Sequence, residues 1–510
     1  MTRRLVLLGL ALALALPATA QAPARRGFQT GDLYRLKTLR DPRISPDGEW
    51  VAYTVTQPDS AKDKSNTDVW MAKWDGSRNI RLTSSPDGES SPRWSPDNRY
   101  LAFTSGRGDD NKLGAQIWLL DRAGGEAQKL TSIRGGVSSY AWAPDSKRLV
   151  VVSKETDPDT TTKKTPKPIV IDRYHFKQDG DGYLDAKKEQ LWLVDVATGK
   201  AEQLTTGPWD VADPQWSPDG TRIAFVSNRT PDPDRSTNDD IWVIDAKPGA
   251  TPVAVTTSPS RDWEPRWSPD GRSIAYTTWR DPKFYFYNLE RVMVIPAAGG
   301  TPREIAPALD RNLGNYTWTT DGRALHALLE DDRAVHLVRV DLASGSVTRL
   351  LDGRRTVSAF SVAPGGRVAI LDGDAARPSE IFALDGATPR PLSKQNDEWL
   401  AGIAVGAARD ISGKAPDGTV INAVMVTPVG YQPGTRVPAF LYIHGGPTSQ
   451  SQHEFNPTAQ LFAANGYAVV MPNYRGSTGR GEAFTRAIYA DWGGFEVVDV
   501  LATIDEAVRL

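Results

Sequence analysis

Short apolar runs separated by polar turns recur down roughly the first 400 residues, and each turn repeats nearly the same phrase. The copies are Ile44-Ser45-Pro46-Asp47-Gly48, Trp94-Ser95-Pro96-Asp97-Asn98, Trp142-Ala143-Pro144-Asp145-Ser146, Trp216-Ser217-Pro218-Asp219-Gly220, Trp267-Ser268-Pro269-Asp270-Gly271, Trp318-Thr319-Thr320-Asp321-Gly322 and Val362-Ala363-Pro364-Gly365-Gly366. Proline presets φ, aspartate bonds its own backbone, and glycine accepts a positive φ between two strands. A β-rich run follows each turn, for example 222–227. A second run such as 241–245 comes next, and then a Gly-containing turn and a Leu-Thr ending, so each repeat predicts one four-stranded sheet.

Repeats about 50 residues apart, each one sheet, predict a seven-bladed β-propeller over residues 28–395, a ring that leaves no long sheet edge free. The five motif tryptophans are expected in its core. The longest interval, Asp145 to Asp219, holds a polar insertion with an exposed loop at 156–167 and the stretch Asp179-Gly180-Asp181-Gly182-Tyr183. An EF-hand starting at Asp179 needs glycine at its sixth position and glutamate at its twelfth, where Leu184 and Gln190 stand, so the stretch reads as a turn and no metal site is assigned. Phe284-Tyr285-Phe286-Tyr287 alternates like a strand packed on both faces.

Near residue 400 the pattern changes to longer apolar strands separated by helical stretches, so residues 396–510 read as the first part of an α/β-hydrolase domain. A strand at 439–443 runs into His444-Gly445-Gly446-Pro447, and another at 467–472 runs into Asn473-Tyr474-Arg475-Gly476-Ser477-Thr478-Gly479-Arg480-Gly481. Two glycines let the backbone turn sharply and bring an N–H close to a bound carbonyl, the arrangement that stabilises the oxyanion of a tetrahedral intermediate. His444, on this loop rather than after a nucleophile, is read as structural support for it and not as the base. Phe495, Val498, Leu501, Ile504 and Val508 recur at helical spacing and predict an amphipathic helix buried on that face.

Charge and composition remove several function classes. Lys+Arg 60 against Asp+Glu 62 leaves a net charge of -2, without the positive field that nucleic acid or anionic lipid requires. There is no cysteine, so neither disulfide nor thiol chemistry is available. Arg3 and Arg4, the apolar stretch from Leu5 to Leu16, and Ala18-Thr19-Ala20 form a secretory signal peptide over residues 1–20, with cleavage after Ala20. The expected location is the bacterial periplasm, with no membrane attachment after cleavage. No motif speaks to oligomeric state, and none calls for a cofactor.

The seven turn phrases, Tyr442-Ile443-His444-Gly445-Gly446-Pro447, Asn473 to Gly479, and Asp491-Trp492-Gly493-Gly494, taken in that order, resemble the prolyl oligopeptidase family, and within it the acylaminoacyl-peptidase and dipeptidyl-peptidase branch. The resemblance implies a propeller that caps a serine hydrolase and admits short or unstructured peptides. It also implies an oxyanion hole that uses the Gly446 N–H, and loop support from Arg475 and Asp491 as an ion pair.

A nucleophile elbow Gly-x-Ser-x-Gly occurs nowhere in these 510 residues, and of the five histidines (His175, His326, His336, His444, His453) none follows residue 453. The α/β-hydrolase order is Ser, Asp, His, so the triad is expected C-terminal to this chain and the chain itself is expected to be inactive. Ser477 lies in a glycine-rich setting, but no base follows it. Gly476 to Gly481 lacks the Lys-Ser/Thr ending of a phosphate loop. The alternative reading, a non-enzymatic periplasmic propeller similar to TolB that binds protein partners, explains the repeats and leaves His444-Gly445-Gly446-Pro447 without a purpose.

Overall fold

The computed structural model describes residues 25–108, 113–156, 168–386 and 388–510; the signal sequence at 1–20 and most of the loop at 156–167 lie outside the described residues. Seven four-stranded antiparallel units follow one another: strands 38–81, 89–129, 139–203, 212–254, 262–304, 313–351 and 356–391. Each unit is contiguous in sequence, and within it the first strand precedes the Pro-Asp turn and the second follows it. The sixth and seventh units are joined by one parallel bridge, Val335 to Thr356.

The repeated phrase builds each turn in the same way. In Ser217-Pro218-Asp219-Gly220, the Ser217 hydroxyl donates to Asp219 Oδ1 at 2.6 Å, the same carboxylate accepts Thr221 N–H at 3.0 Å, and Ser217 Oγ accepts Arg222 N–H at 3.0 Å. Gly220 closes the turn at φ 67°, in the left-handed region that glycine enters freely. With the Thr221 hydroxyl as a third donor at 2.8 Å, the bonds on this carboxylate stabilise its charged form and hold the Asp219 pKa down at about 2.

The motif tryptophans hold neighbouring blades together. Trp94, Trp142, Trp216, Trp267 and Trp318 donate Nε1–H to the carbonyls of Arg43, Arg93, Ala141, Gln215 and Arg266, each on the first strand of the preceding blade. Apolar clusters fill all seven seams, including the one between the first and last blades, where Leu39, Tyr53 and Trp74 meet Leu371, Ile381 and Leu392. The closing threonine of the repeat also has a defined use: Thr83, Thr131, Thr205 and Thr256 accept the N–H of Val69, Ile117, Leu191 and Ile241, each on the third strand of its blade, at 2.8–2.9 Å.

Beyond the propeller, Arg26–Gly27 pairs in parallel with Ile403–Ala404, tying the start of the described chain to the segment that leaves the last blade. A second sheet follows, with β1 (Ala408–Lys414), β2 (Val420–Val426), β3 (Ala439–Leu441) and β4 (Ala468–Asn473) in the order β1-β2-β4-β3. The first two pairings are antiparallel, and β3 runs parallel to β4. Helix α1 (Pro457–Ala464) crosses from β3 to β4, and α2 (Glu482–Arg486) and α3 (Phe495–Arg509) follow.

Two local expectations are corrected. Phe284 to Tyr287 is no strand but part of a 3₁₀ arm, Pro282–Tyr287, capped by the Asp281 carboxylate accepting Lys283 N–H at 3.0 Å. Proline at its start and tertiary ring contacts override the alternation of the sequence. In α3 the helix is present but turned: Asp499, Val500, Ala502 and Thr503 are buried, while Phe495, Leu501 and Val508 are exposed. The helix backbone lies so close to β1 that a Cβ on Gly413 would stand 2.3 Å from the Ala502 carbonyl oxygen, so small residues face the sheet.

Candidate active site

Strand β3 ends at Leu441, but its pairing continues for one more bond, Tyr442 N–H to Val470 O at 2.9 Å, which carries His444-Gly445-Gly446-Pro447 to the C-terminal edge of the parallel pair. Ligands of open α/β sheets bind at such an edge. Gly446 adopts φ 133°, and a Cβ there would lie 2.8 Å from Thr448 N, so only glycine fits. Gly446 is exposed, and its N–H meets no acceptor among the described residues. The Gly446 amide is thus an exposed donor without an acceptor among the described residues, on a tightly bent loop.

The loop after β4 packs on this one. The Asn473 side chain accepts Ser451 N–H at 2.6 Å and donates to Ser451 O at 3.0 Å, and Thr478 N–H bonds Ser449 O at 2.9 Å. Gly476 has φ 102°, and a Cβ on it would meet Ile488 at 2.7 Å and Pro447 at 3.2 Å. His444 stacks on Tyr474 with ring centroids 4.6 Å apart. Its Nε2 lies 2.9 Å from Ser477 Oγ and its Nδ1 lies 2.9 Å from Gly445 O, while the Tyr474 hydroxyl donates to His444 O at 2.7 Å. Burial holds the His444 pKa below the usual histidine value, so the ring is neutral near pH 7.

Arg475 and Asp491 do not pair. Arg475 donates from Nε and a terminal nitrogen to the Asp499 carboxylate at 2.9 and 2.7 Å, its backbone N–H adds a third bond at 2.9 Å, and its other terminal nitrogen reaches Asp417. These bonds raise the Arg475 pKa further, Asp499 first among the causes. Asp491 instead accepts Phe495 N–H at 3.3 Å, at the start of α3. Sequence reasoning missed Asp499. Its signal was an aspartate within a helix otherwise read by its apolar positions, and a buried carboxylate of that kind requires a partner.

The propeller meets the second sheet through the connections opposite its Pro-Asp turns. Asp332 accepts from Asn422 Nδ2 at 2.6 Å, Arg333 reaches Asp410 at 3.1 Å, and His453 N–H donates to Arg333 O at 2.8 Å. The 3₁₀ arm reaches across as well: Phe284 and Tyr287 pack edge-on to Tyr489, and Tyr287 Oη accepts Trp492 Nε1–H at 2.6 Å. On the same side, burial and the neighbouring Glu330 and Glu264 push the Glu290 carboxyl up to about 7.

Comparison with known proteins agrees with this arrangement. Residues 453–510 match the prolyl oligopeptidase family and residues 183–399 match the TolB beta propeller domain. The chain is 29% identical over 497 residues to an uncharacterized peptidase, YuxL, of Bacillus subtilis, covering 94% of this chain and 75% of that protein. It is 28% identical to dipeptidyl-peptidase 5 of Porphyromonas gingivalis, covering 92% of this chain and 71% of that protein. Among solved structures, the Pyrococcus horikoshii acylaminoacyl peptidase superposes with a TM-score of 0.79 at 22% identity, over 95% of this chain and 72% of that one. A puromycin-hydrolyzing peptidase of Mycobacterium tuberculosis gives 0.70 at 18% identity, over 95% of this chain and 74% of that one. Seven blades followed by an α/β sheet, together with matches running through both parts, make the chain similar to the serine peptidases of the prolyl oligopeptidase family.

Proposed function

We propose that this chain supplies the access filter and the oxyanion side of a periplasmic serine peptidase that removes short or acylated units from peptides. The carrying observation is the Gly446 N–H, exposed and without an acceptor among the described residues, on a bent loop packed against the loop after β4. A donor held in that state needs no reorganisation when negative charge develops on a carbonyl oxygen, and one such donor is worth about 10²–10³ in kcat. The nucleophile, acid and base are assigned to residues outside these 510, because Gly-x-Ser-x-Gly is absent and no histidine follows His453. His444 does not serve as the base in this reading: its two ring nitrogens face Ser477 and Gly445 O, and Ser477 is fully buried.

The chemistry of the complete enzyme is then acyl transfer. A serine attacks the peptide carbonyl, a histidine moves the proton to the leaving amine, an aspartate orients that histidine, and the Gly446 amide holds the oxyanion. Export rests on the signal peptide at 1–20. Blocked and unblocked chromogenic dipeptides, given to the product of the complete reading frame, test the assignment. Release from the unblocked set alone marks a dipeptidyl peptidase, and release from acylated residues alone marks an acylaminoacyl peptidase. Release from neither sinks the proposal and leaves the partner-binding propeller.

A further inference from the structure

We propose that Ser477 and Tyr474 are positioning residues that aim the Gly446 amide by holding the two peptide planes ahead of it. The inference deepens the oxyanion reading and rests on it. A carbonyl oxygen only accepts, so the 2.9 Å contact between His444 Nδ1 and Gly445 O is a hydrogen bond only if the proton sits on Nδ1. Nε2 of the neutral ring is then a lone pair, and the Ser477 hydroxyl, 2.9 Å away, must be its donor. The Gly445 carbonyl thus sets the tautomer, and the fully buried Ser477 hydroxyl, donating to Nε2, holds the ring against that carbonyl.

The tautomer fixes a direction. Gly445 C=O and Gly446 N–H share one planar peptide unit, which is trans, the cis bond in this loop being Gly446–Pro447. In a trans unit the carbonyl and the N–H point to opposite sides, so pinning the Gly445 oxygen to the imidazole turns the Gly446 N–H away from it. Tyr474 does the same one unit earlier, its hydroxyl donating to His444 O at 2.7 Å while its ring stacks on the imidazole. The relay runs from the Ser477 hydroxyl through the His444 ring and the Gly445 carbonyl to the free Gly446 N–H. A Cβ on Gly445 would meet nothing within 4 Å, so these bonds rather than packing hold its plane.

Nitrogen NMR of the whole 510-residue chain, labelled with ¹⁵N-histidine and ¹⁵N-glycine, reads the relay without any catalytic turnover. His444 is identified by loss of its signals in His444→Gln, and Gly446 through the carbonyl of Gly445. At pH 7.5 the wild-type ring carries its proton on Nδ1. Ser477→Ala removes the donor to Nε2 and so shifts the resonance of that unprotonated nitrogen and the Gly446 amide, whereas Ser477→Thr, which keeps the hydroxyl, restores both signals. Tyr474→Phe shifts the Gly446 amide and leaves the tautomer alone. A wild-type proton on Nε2 overturns the proposal without recourse to any variant, and so does a Ser477→Ala spectrum with both signals unmoved. Hydrolysis assays test the peptidase reading separately, so a failure here and a failure there are distinguishable.

Discussion

Arg475 and Asp499 show at the level of single residues why the loop after β4 is rigid. Asp499 is fully buried and faces three donors from Arg475, so deleting either partner strands a charge away from water. Asp499→Ala is therefore expected to destabilise the protein by about 3–5 kcal/mol, seen as an earlier urea midpoint. Asp491→Ala removes one long bond at an exposed helix start and is expected to cost about 1 kcal/mol or less. Equal losses from the two variants would contradict the pairing described here. A pH effect belongs to this scale too. Burial raises Asp240 to about 7 and Asp262 nearby to about 6. As pH climbs from about 4 to about 7, the unfolded chain releases the Asp240 proton while the folded protein keeps it, so stability falls across that window and levels off above it. Asp240 accepts from Thr256, where Gln116 and Gln190 use an uncharged amide for the same bond in other blades. Asp240→Asn is thus expected to gain about 1–3 kcal/mol at pH 8 and almost nothing at pH 4, by denaturant melts at the two pH values.

Among the elements, the blades were the most legible in the sequence, because one turn phrase supplies everything local: proline for φ, aspartate for two turn bonds, glycine for the left-handed position. The same phrase places a tryptophan whose indole N–H bonds the preceding blade, a contact invisible in any single repeat. Trp267→Phe keeps the packing and loses only the bond to Gln215 O, with an expected cost of about 1 kcal/mol, whereas Trp267→Ala opens a seam and costs about 3–5 kcal/mol in thermal unfolding. Legibility failed where tertiary contacts decide. The arm at Pro282–Tyr287 takes its shape from Tyr489 and Trp492, some 200 residues later in the chain, and no local period encodes that. Helix α3 was visible from its spacing, but the face it buries is set by the closeness of Gly413 and by the demand of Arg475 for a carboxylate. At the site, the two glycine-rich segments could be named from the sequence alone, whereas the bonds among His444, Tyr474 and Ser477 required coordinates.

The whole molecule joins a ring of blades to a sheet whose free amide faces neither partner nor core. Arg333, Asp332 and Asn422 link the two parts on one side, and the aromatic arm links them on another. Export belongs to this scale. Cleavage after Ala20 predicts a mature protein beginning at Gln21, checked by N-terminal sequencing of the periplasmic fraction. An uncleaved Met1 in that fraction would contradict it. The central proposal is that this chain supplies the oxyanion side of a serine peptidase whose nucleophile lies outside these 510 residues. Fluorophosphonate labelling, with the labelled residue identified by peptide mass, tests it most directly on the 510-residue chain and on the product of the complete reading frame. The expected result is no label on Ser477 or any other serine of the 510 residues, and a single labelled serine within Gly-x-Ser-x-Gly in the complete product. Label on Ser477, or none in the complete product, would contradict it.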